Sequence, residues 1–191
     1  MRILMLGNSF TFVNHMPDML ARLTGAEVVQ HTRGGARLAE QLNPSTKMGA
    51  RTQAALRDEK WDYVVLQEMS NGPITSKESF LKNTALLCEQ IRANGAKPIL
   101  YATWAYEKGG KQLAEFGMDY EEMYRQMYEA YHDAAEQNHA LIADAGRRFY
   151  ELADTRSLYA ADGCHPNEEG SRIAAEAIAA VIAEDQAQLE K

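Results

Sequence analysis

Hydrophobic positions along the chain alternate between short unbroken runs and longer stretches in which they recur every three or four residues. The first run, residues 2–6, is closed by Gly7 and predicts a strand buried on both faces of a parallel sheet. Behind it Met16, Met19, Leu20 and Leu23 recur at i, i+3, i+4 and i+7, with Pro17 in the first turn and Gly25 at the stop. That spacing predicts a helix whose apolar stripe covers the sheet. The pattern repeats: residues 27–31 predict a second strand, Gly34 and Gly35 a turn, the stretch to about residue 58 largely helix, and residues 61–67 a third strand. A helix over 76–94 leads through Gly95 to a fourth strand at 98–103, where Pro98 is tolerated because a first strand residue need not donate a hydrogen bond.

Residues 104–117, with Gly109 and Gly110, form a longer connection and are a candidate lid, since long loops in compact domains are more often functional than neutral. The next helix opens with Asp119 and Glu122 in a capping-box-like relation and carries Tyr120, Met123, Tyr124, Met127 and Tyr131 on one face. The stripe is read as core-facing rather than as an aromatic ligand cage. Residues 139–143 predict a fifth strand, 147–153 a short helix, and 167–183 a last helix with Gly170, Ile173, Ala174, Ala177, Ile178 and Val181 in phase. Alternating strands and helices imply a parallel sheet with helices on both faces, because each parallel crossover is right-handed and usually helical. No internal repeat, low-complexity tract or linker interrupts the order, so residues 1–191 are read as one domain.

Composition narrows the function classes. A hydrophobic share of 46% and a charged share of 25% are those of an ordinary soluble globular chain. A net charge of -7 with scattered Lys and Arg argues against a nucleic-acid partner, which needs a basic stripe. The first apolar stretch ends at Gly7, too soon for a signal peptide or a membrane span, so no membrane association and a cytoplasmic location are expected. Cys88 and Cys164 are too few for a disulfide framework or a thiolate zinc site, and His15, His31, His132 and His139 lack metal-ligand spacing. Neither a Gly-x-x-x-x-Gly-Lys nor a Gly-x-Gly-x-x-Gly segment occurs, which removes the usual sequence grounds for nucleotide binding.

In open parallel sheets ligands bind beyond the carboxyl ends of the strands. Four segments there carry polar or glycine-rich chemistry: Gly7-Asn8-Ser9-Phe10-Thr11, Thr32-Arg33-Gly34-Gly35, Gln67-Glu68-Met69-Ser70-Asn71-Gly72 and Asp162-Gly163-Cys164-His165-Pro166. Ser9 sits where it is either a helix cap or a nucleophile beside a helix N-terminus that favours anionic charge. Asp162, three residues before His165, either shapes a surface turn or accepts the imidazole Nδ1–H, leaving Nε2 free to take a proton. Cys164 reads as a small packing residue. Phe10, Trp104 and Tyr106 follow strand ends and are candidates for the wall of a substrate pocket, with simple packing as the other reading.

Gly7-Asn8-Ser9-Phe10 at the end of the first strand, together with Asp162-x-x-His165-Pro166 before the last helix, resembles the first and last sequence blocks of the SGNH (GDSL-like) hydrolases. The resemblance implies a flavodoxin-like three-layer α/β/α sandwich with a five-stranded parallel sheet in the order 2-1-3-4-5. It implies Ser9 as nucleophile, His165 as base and Asp162 as its support, with no metal or organic cofactor. The oxyanion hole would combine the N–H of Ser9, a glycine (Gly35, with Gly34 as alternative) and a side-chain amide. Here the amide block departs from the family's usual Gly-x-Asn-Asp and looks more like the Gln-Gly-Glu version of acetylesterase-like branches, leaving Gln67 and Asn71 as the two choices.

The chain also lacks the Gly-x-Ser-x-Gly of nucleophile-elbow hydrolases. The expected substrate is a small acyl ester, acetyl groups on carbohydrates leading. The rival readings are a module that keeps the fold and binds a carbohydrate or other ligand without turnover, and a flavodoxin-like signalling or flavin-binding domain.

Overall fold

Five strands form in the computed structural model, which describes residues 1–190. They are β1 (Arg2–Gly7), β2 (Glu27–Thr32), β3 (Tyr63–Leu66), β4 (Lys97–Ala102) and β5 (Leu141–Asp144), all parallel, in the order β2-β1-β3-β4-β5. The three inner strands carry near-continuous apolar runs because both their faces are covered; Ile3 to Leu6 of β1 are each 0% exposed. Pro98 lies in β4 opposite Val64, and Lys97 donates its N–H toward the β3 side at Asp62. Successive N–H groups point to opposite sides of a strand, so the missing donor of Pro98 falls on the β5 side, where pairing begins only at Ile99.

The first helices are α1 (Ser9–Phe12), followed by a 3-10 turn over Val13–His15, and α2 (Met16–Thr24). After β2 come α3 (Leu38–Gln41) and α4 (Lys47–Asp58), and after β3 the short α5 (Gly72–Thr75) and α6 (Lys77–Asn94). The remaining helices are α7 (Lys111–Phe116), α8 (Tyr120–Gln137), α9 (Ala145–Leu152) and α10 (Glu168–Leu189). Helices α2 and α10 pack on each other, while α4, α6 and α8 form a second packed set. The result is the expected flavodoxin-like three-layer α/β/α sandwich, and the reversal of strand order at β1 and β3 opens a crevice beyond their carboxyl ends. Among the described residues no helix is long and apolar enough to cross a membrane.

Residues 104–117 are not a lid. Trp104 is 1% exposed and Tyr106 2%, and the segment ends in α7. The Trp104 indole donates to the Cys164 carbonyl at 3.0 Å and the Glu107 N–H to the Gly163 carbonyl at 2.8 Å, so the connection is bonded to the Asp162–His165 turn. The fifth strand starts two residues later than its apolar pattern suggests, because His139 adopts φ 47° and closes α8 with a left-handed cap, the Ala140 N–H reaching back to the Ala135 carbonyl. The stripe on α8 is core-facing at Tyr120, Met123, Met127 and Tyr131, whereas the half-buried Tyr124 stacks on Tyr150 with ring centroids 3.8 Å apart.

One polar network inside this framework is sensitive to acid. His31, 3% exposed, bonds through Nδ1 to the Thr52 hydroxyl at 2.9 Å, Thr52 donates to Gln41 at 2.6 Å, and Gln41 returns to the His31 carbonyl at 3.0 Å. Burial, assisted by the charge of Arg51, lowers the imidazole from its ordinary 6.5 to about 4. The unfolded chain therefore binds the proton first. The stability tied to a neutral His31 is fully present above pH 6.5 and is lost as the pH falls from there to about 4, by up to about 3 kcal/mol. Denaturant unfolding of the wild type should lose midpoint across that window, and a His31→Asn variant, less stable at neutral pH, should lack that part of the slope. Equal slopes in the two proteins would show that His31 is not the group responsible.

Candidate active site

A cleft of about 410 Å³ opens beyond the strand ends, walled by Ser9, Phe10, Gly34, Gly35, Ser70 and His165 among others. Gly7, the last residue of β1, directly precedes the lining residues Asn8, Ser9 and Phe10. A Cβ on Gly7 would run into the Thr11 hydroxyl and the Gln67 side-chain oxygen, so a glycine is needed for the chain to turn over Gln67. Asn8 caps α1, its side-chain oxygen accepting the Phe10 N–H at 3.0 Å. Ser9 is thus the first helical residue, at a position where a backbone N–H has no acceptor within its own helix.

Two buried side chains hold this turn to its neighbours. The Asn8 amide donates to the Ala36 carbonyl at 3.1 Å and the Glu68 carbonyl at 3.4 Å, tying the serine turn to the glycine turn. The glycine turn is closed by the Ala36 N–H on the Arg33 carbonyl, with Gly35 at φ 69°, a left-handed conformation that costs a glycine little. Gln67, 0% exposed, accepts the Asn8 N–H and the Thr11 hydroxyl, each at 3.0 Å, and donates to the Glu68 carbonyl at 2.5 Å. Glu68, 3% exposed, accepts the Met69 N–H at 2.7 Å and the Leu38 N–H at 3.4 Å, joining the segment after β3 to the start of α3. Burial raises the Glu68 carboxyl above its ordinary range, against the pull of those two N–H groups and of Arg37.

The opposite wall comes from the far end of the chain. The Ser9 hydroxyl lies 2.8 Å from His165 Nε2, and His165 Nδ1 lies 2.5 Å from Asp162 Oδ2. The other Asp162 oxygen accepts the N–H groups of Cys164 at 3.0 Å and His165 at 2.9 Å, so the carboxylate is gripped by its own turn. Burial alone would raise the Asp162 carboxyl, but the hydrogen bonds from His165 and Cys164 outweigh it and hold the group below the usual carboxylate range. His165 meets the edge of Phe10 at 5.4 Å between ring centroids. Such a row of carboxylate, imidazole and hydroxyl can move a proton off the hydroxyl as it bonds to an electrophile.

Of the residues singled out from sequence, the fold brings Ser9, Phe10, Gly34, Gly35 and His165 to the cleft, with Asp162 behind His165. Gln67 does not reach it, its amide being committed beneath the serine turn. Asn71 lies at the start of α5, where it accepts the Thr75 hydroxyl, and does not border the cleft. Trp104 and Tyr106 stand behind the wall: Trp104 is stacked between Phe10 at 4.9 Å and Phe149 at 4.0 Å, and the Tyr106 hydroxyl is 3.0 Å from the Ser70 hydroxyl.

Two residues were not picked out by pattern. Ser70 sits within the segment after β3, and its place three residues past Gln67 is the signal that could have found it. Asn14, at φ 55° without being a glycine, donates to the Pro166 carbonyl at 3.0 Å and the Ser171 hydroxyl at 2.9 Å, bonding the start of the chain to the histidine turn. Among the described residues no group of three or more His, Cys, Asp or Glu side chains converges to hold a metal ion.

The profile of the GDSL-like lipase/acylhydrolase family matches residues 5–173, a span that takes in both halves of the cleft. A protein of Slackia heliotrinireducens assigned to the SGNH hydrolases is 52% identical, with a TM-score of 0.91 over 95% of this chain and 98% of its own. Two more distant structures share the fold. An acetyl-xylooligosaccharide esterase of Geobacillus is 17% identical, with a TM-score of 0.72 over 95% of this chain and 93% of its own. An acetyl xylan esterase is 14% identical, with a TM-score of 0.74 over 95% of this chain and 100% of its own. No curated protein matches the chain significantly. On the family match and the near relative, the chain belongs to the GDSL-like lipase/acylhydrolase family, the SGNH hydrolases.

Proposed function

We propose that this protein is a serine esterase that hydrolyses small acyl esters, acetyl groups on carbohydrates foremost. The observation that carries the reading is the continuous row of Ser9, His165 and Asp162, with contacts of 2.8 and 2.5 Å, at the wall of an open cleft. In the acylation step His165 Nε2 takes the Ser9 proton as the oxygen attacks the ester carbonyl, and Asp162 stabilises the imidazolium that forms. His165 then gives that proton to the departing alcohol. Water repeats the sequence on the acyl-enzyme and returns Ser9 to its starting state.

The negative charge on the carbonyl oxygen is met by the N–H of Ser9, at the positive end of α1, and by the N–H of Gly35. Asn8, Gln67 and Glu68 are not donors to this charge. They hold the two loops in register, so that the N–H groups need not reorganise as the charge appears. A cleft of about 410 Å³ suits a small acyl group with part of its alcohol. The two acetylesterases that share the fold at low identity act on acetylated xylan or its oligosaccharides, which supports acetyl esters of sugars as the first substrates to try.

Hydrolysis of an aryl acetate by wild type and Ser9→Ala tests the reading: the wild type should turn over well above buffer and the variant at the buffer rate. Equal background rates would favour a ligand-binding role instead. Asp162→Asn, which keeps the shape but cannot balance an imidazolium, should lower kcat by about 10²- to 10⁴-fold with little change in KM. Because the Asp162 carboxyl is held below its ordinary 3.8, the pH profile of kcat should show no loss through Asp162 until the pH drops below that value.

Glu68→Gln sets an amide against two N–H donors, leaving one without an acceptor. A stability loss of about 1–3 kcal/mol by chemical denaturation is expected, with kcat reduced more than KM is raised. An unaltered midpoint and kcat would show that the carboxylate holds neither loop.

A further inference from the structure

The cleft has a second hydroxyl, and neither the catalytic row nor the family match accounts for it. Ser70 borders the same cleft as Ser9, Gly35 and His165, in the segment that follows β3. This is the side of the cleft from which a side-chain amide donor is missing: Gln67 is locked under the serine turn and Asn71 does not border the cleft. The Ser70 hydroxyl is 3.0 Å from the Tyr106 hydroxyl, which belongs to a ring only 2% exposed, and the side chains of Asn71 and Gln112 lie beside the same phenol.

The direction of that hydrogen bond decides what Ser70 can do. A phenol is far more acidic than an alkyl hydroxyl and is the better donor of the two. With Tyr106 as the donor, its single proton goes to the Ser70 oxygen, its one hydrogen-bond partner at this distance. Burial, the largest influence on Tyr106, raises its phenol, so it remains a protonated donor at neutral pH. A Ser70 oxygen that accepts from Tyr106 leaves its own proton on the Met69 sulfur at 3.5 Å, a weak acceptor that a developing oxyanion in the cleft would displace, and donors in such a chain strengthen one another.

We propose that Ser70 is the third oxyanion donor of this enzyme, a hydroxyl in place of the amide, oriented by Tyr106. The inference rests on the esterase reading above. When Ser9 Oγ bonds to the carbonyl carbon, the carbonyl π pair moves onto its oxygen. That oxygen accepts hydrogen bonds from the Ser9 and Gly35 N–H groups and from the Ser70 O–H. Ser70 keeps its proton throughout; the proton that moves is the one His165 takes from Ser9 and hands to the alcohol. Tyr106 is a positioning residue that touches Ser70 and not the substrate.

Ser70→Ala should lower kcat on an aryl acetate by about 10²-fold, the low end of what one such donor contributes, with KM changed less than about threefold. Inhibition by a small boronic acid, whose tetrahedral adduct on Ser9 carries an oxygen in the oxyanion position, should weaken by a similar factor. Ser70→Thr, which keeps the hydroxyl, should recover most of the rate. Tyr106→Phe should lose a smaller part of kcat and add almost nothing in the Ser70→Ala background, as expected for residues acting through one bond.

Ser9-dependent hydrolysis that is undiminished in Ser70→Ala would overturn this inference alone. So would a loss of kcat matched by a fall in melting temperature with boronic-acid inhibition unchanged. A wild type without Ser9-dependent hydrolysis would defeat the esterase reading and this inference together.

Discussion

The contact between the Ser9 hydroxyl and His165 Nε2 joins residues 156 apart in sequence, and the rest of the architecture serves to make it. Neither partner is held by the other. A single hydrogen bond contributes about 1 kcal/mol, far too little to bring distant segments together. Strand order does this instead. Placing β1 between β2 and β3 sets Ser9 at the crevice, and packing α10 on α2 brings the turn before α10 over the same strand end. Asn14 completes the join by bonding both to the Pro166 carbonyl and to Ser171 in α10. Its left-handed backbone is a cost that these two hydrogen bonds offset.

Beneath the cleft the molecule uses buried polar groups where an apolar core would be easier to stabilise. Asn8, Gln67 and Glu68 are each nearly inaccessible, and their side chains are hydrogen-bonded to backbone of the loops that form the cleft. Groups satisfied in this way add little net stability, but removing a partner leaves a buried donor or acceptor unmet at a cost of about 1–3 kcal/mol. The network therefore selects one loop arrangement over alternatives that would strand a polar atom. On the esterase reading, preorganisation of this kind is what electrostatic stabilisation of a transition state requires.

Much of the framework was legible in the sequence because the signals were redundant. β1 and β3 announce themselves as apolar runs that end in turn residues, and Asp162-x-x-His165 lies before a helix that Asn167 caps. Errors came where tertiary contacts overrode local pattern. Trp61 reads as strand but donates its indole N–H to the Ala55 carbonyl and lies under the Arg2 guanidinium, so β3 begins after it. Residues 104–106 read as loop because no periodicity marks them, yet their aromatic rings are the packing behind the cleft wall. Gln67 and Asn71 were candidates because the family resemblance implies a side-chain amide there; which way Gln67 faces is decided by Gly7, Asn8 and Thr11 meeting it in three dimensions.

The central claim is that Ser9 is activated by His165. Treatment of the protein with an organophosphonate, followed by intact mass and peptide mapping, tests it without assuming a substrate. The account predicts a single adduct on the peptide containing Ser9, formed far more slowly when His165 is replaced by alanine. Capture at another residue, no capture at all, or labelling of Ser9 at the same rate without the imidazole would contradict it.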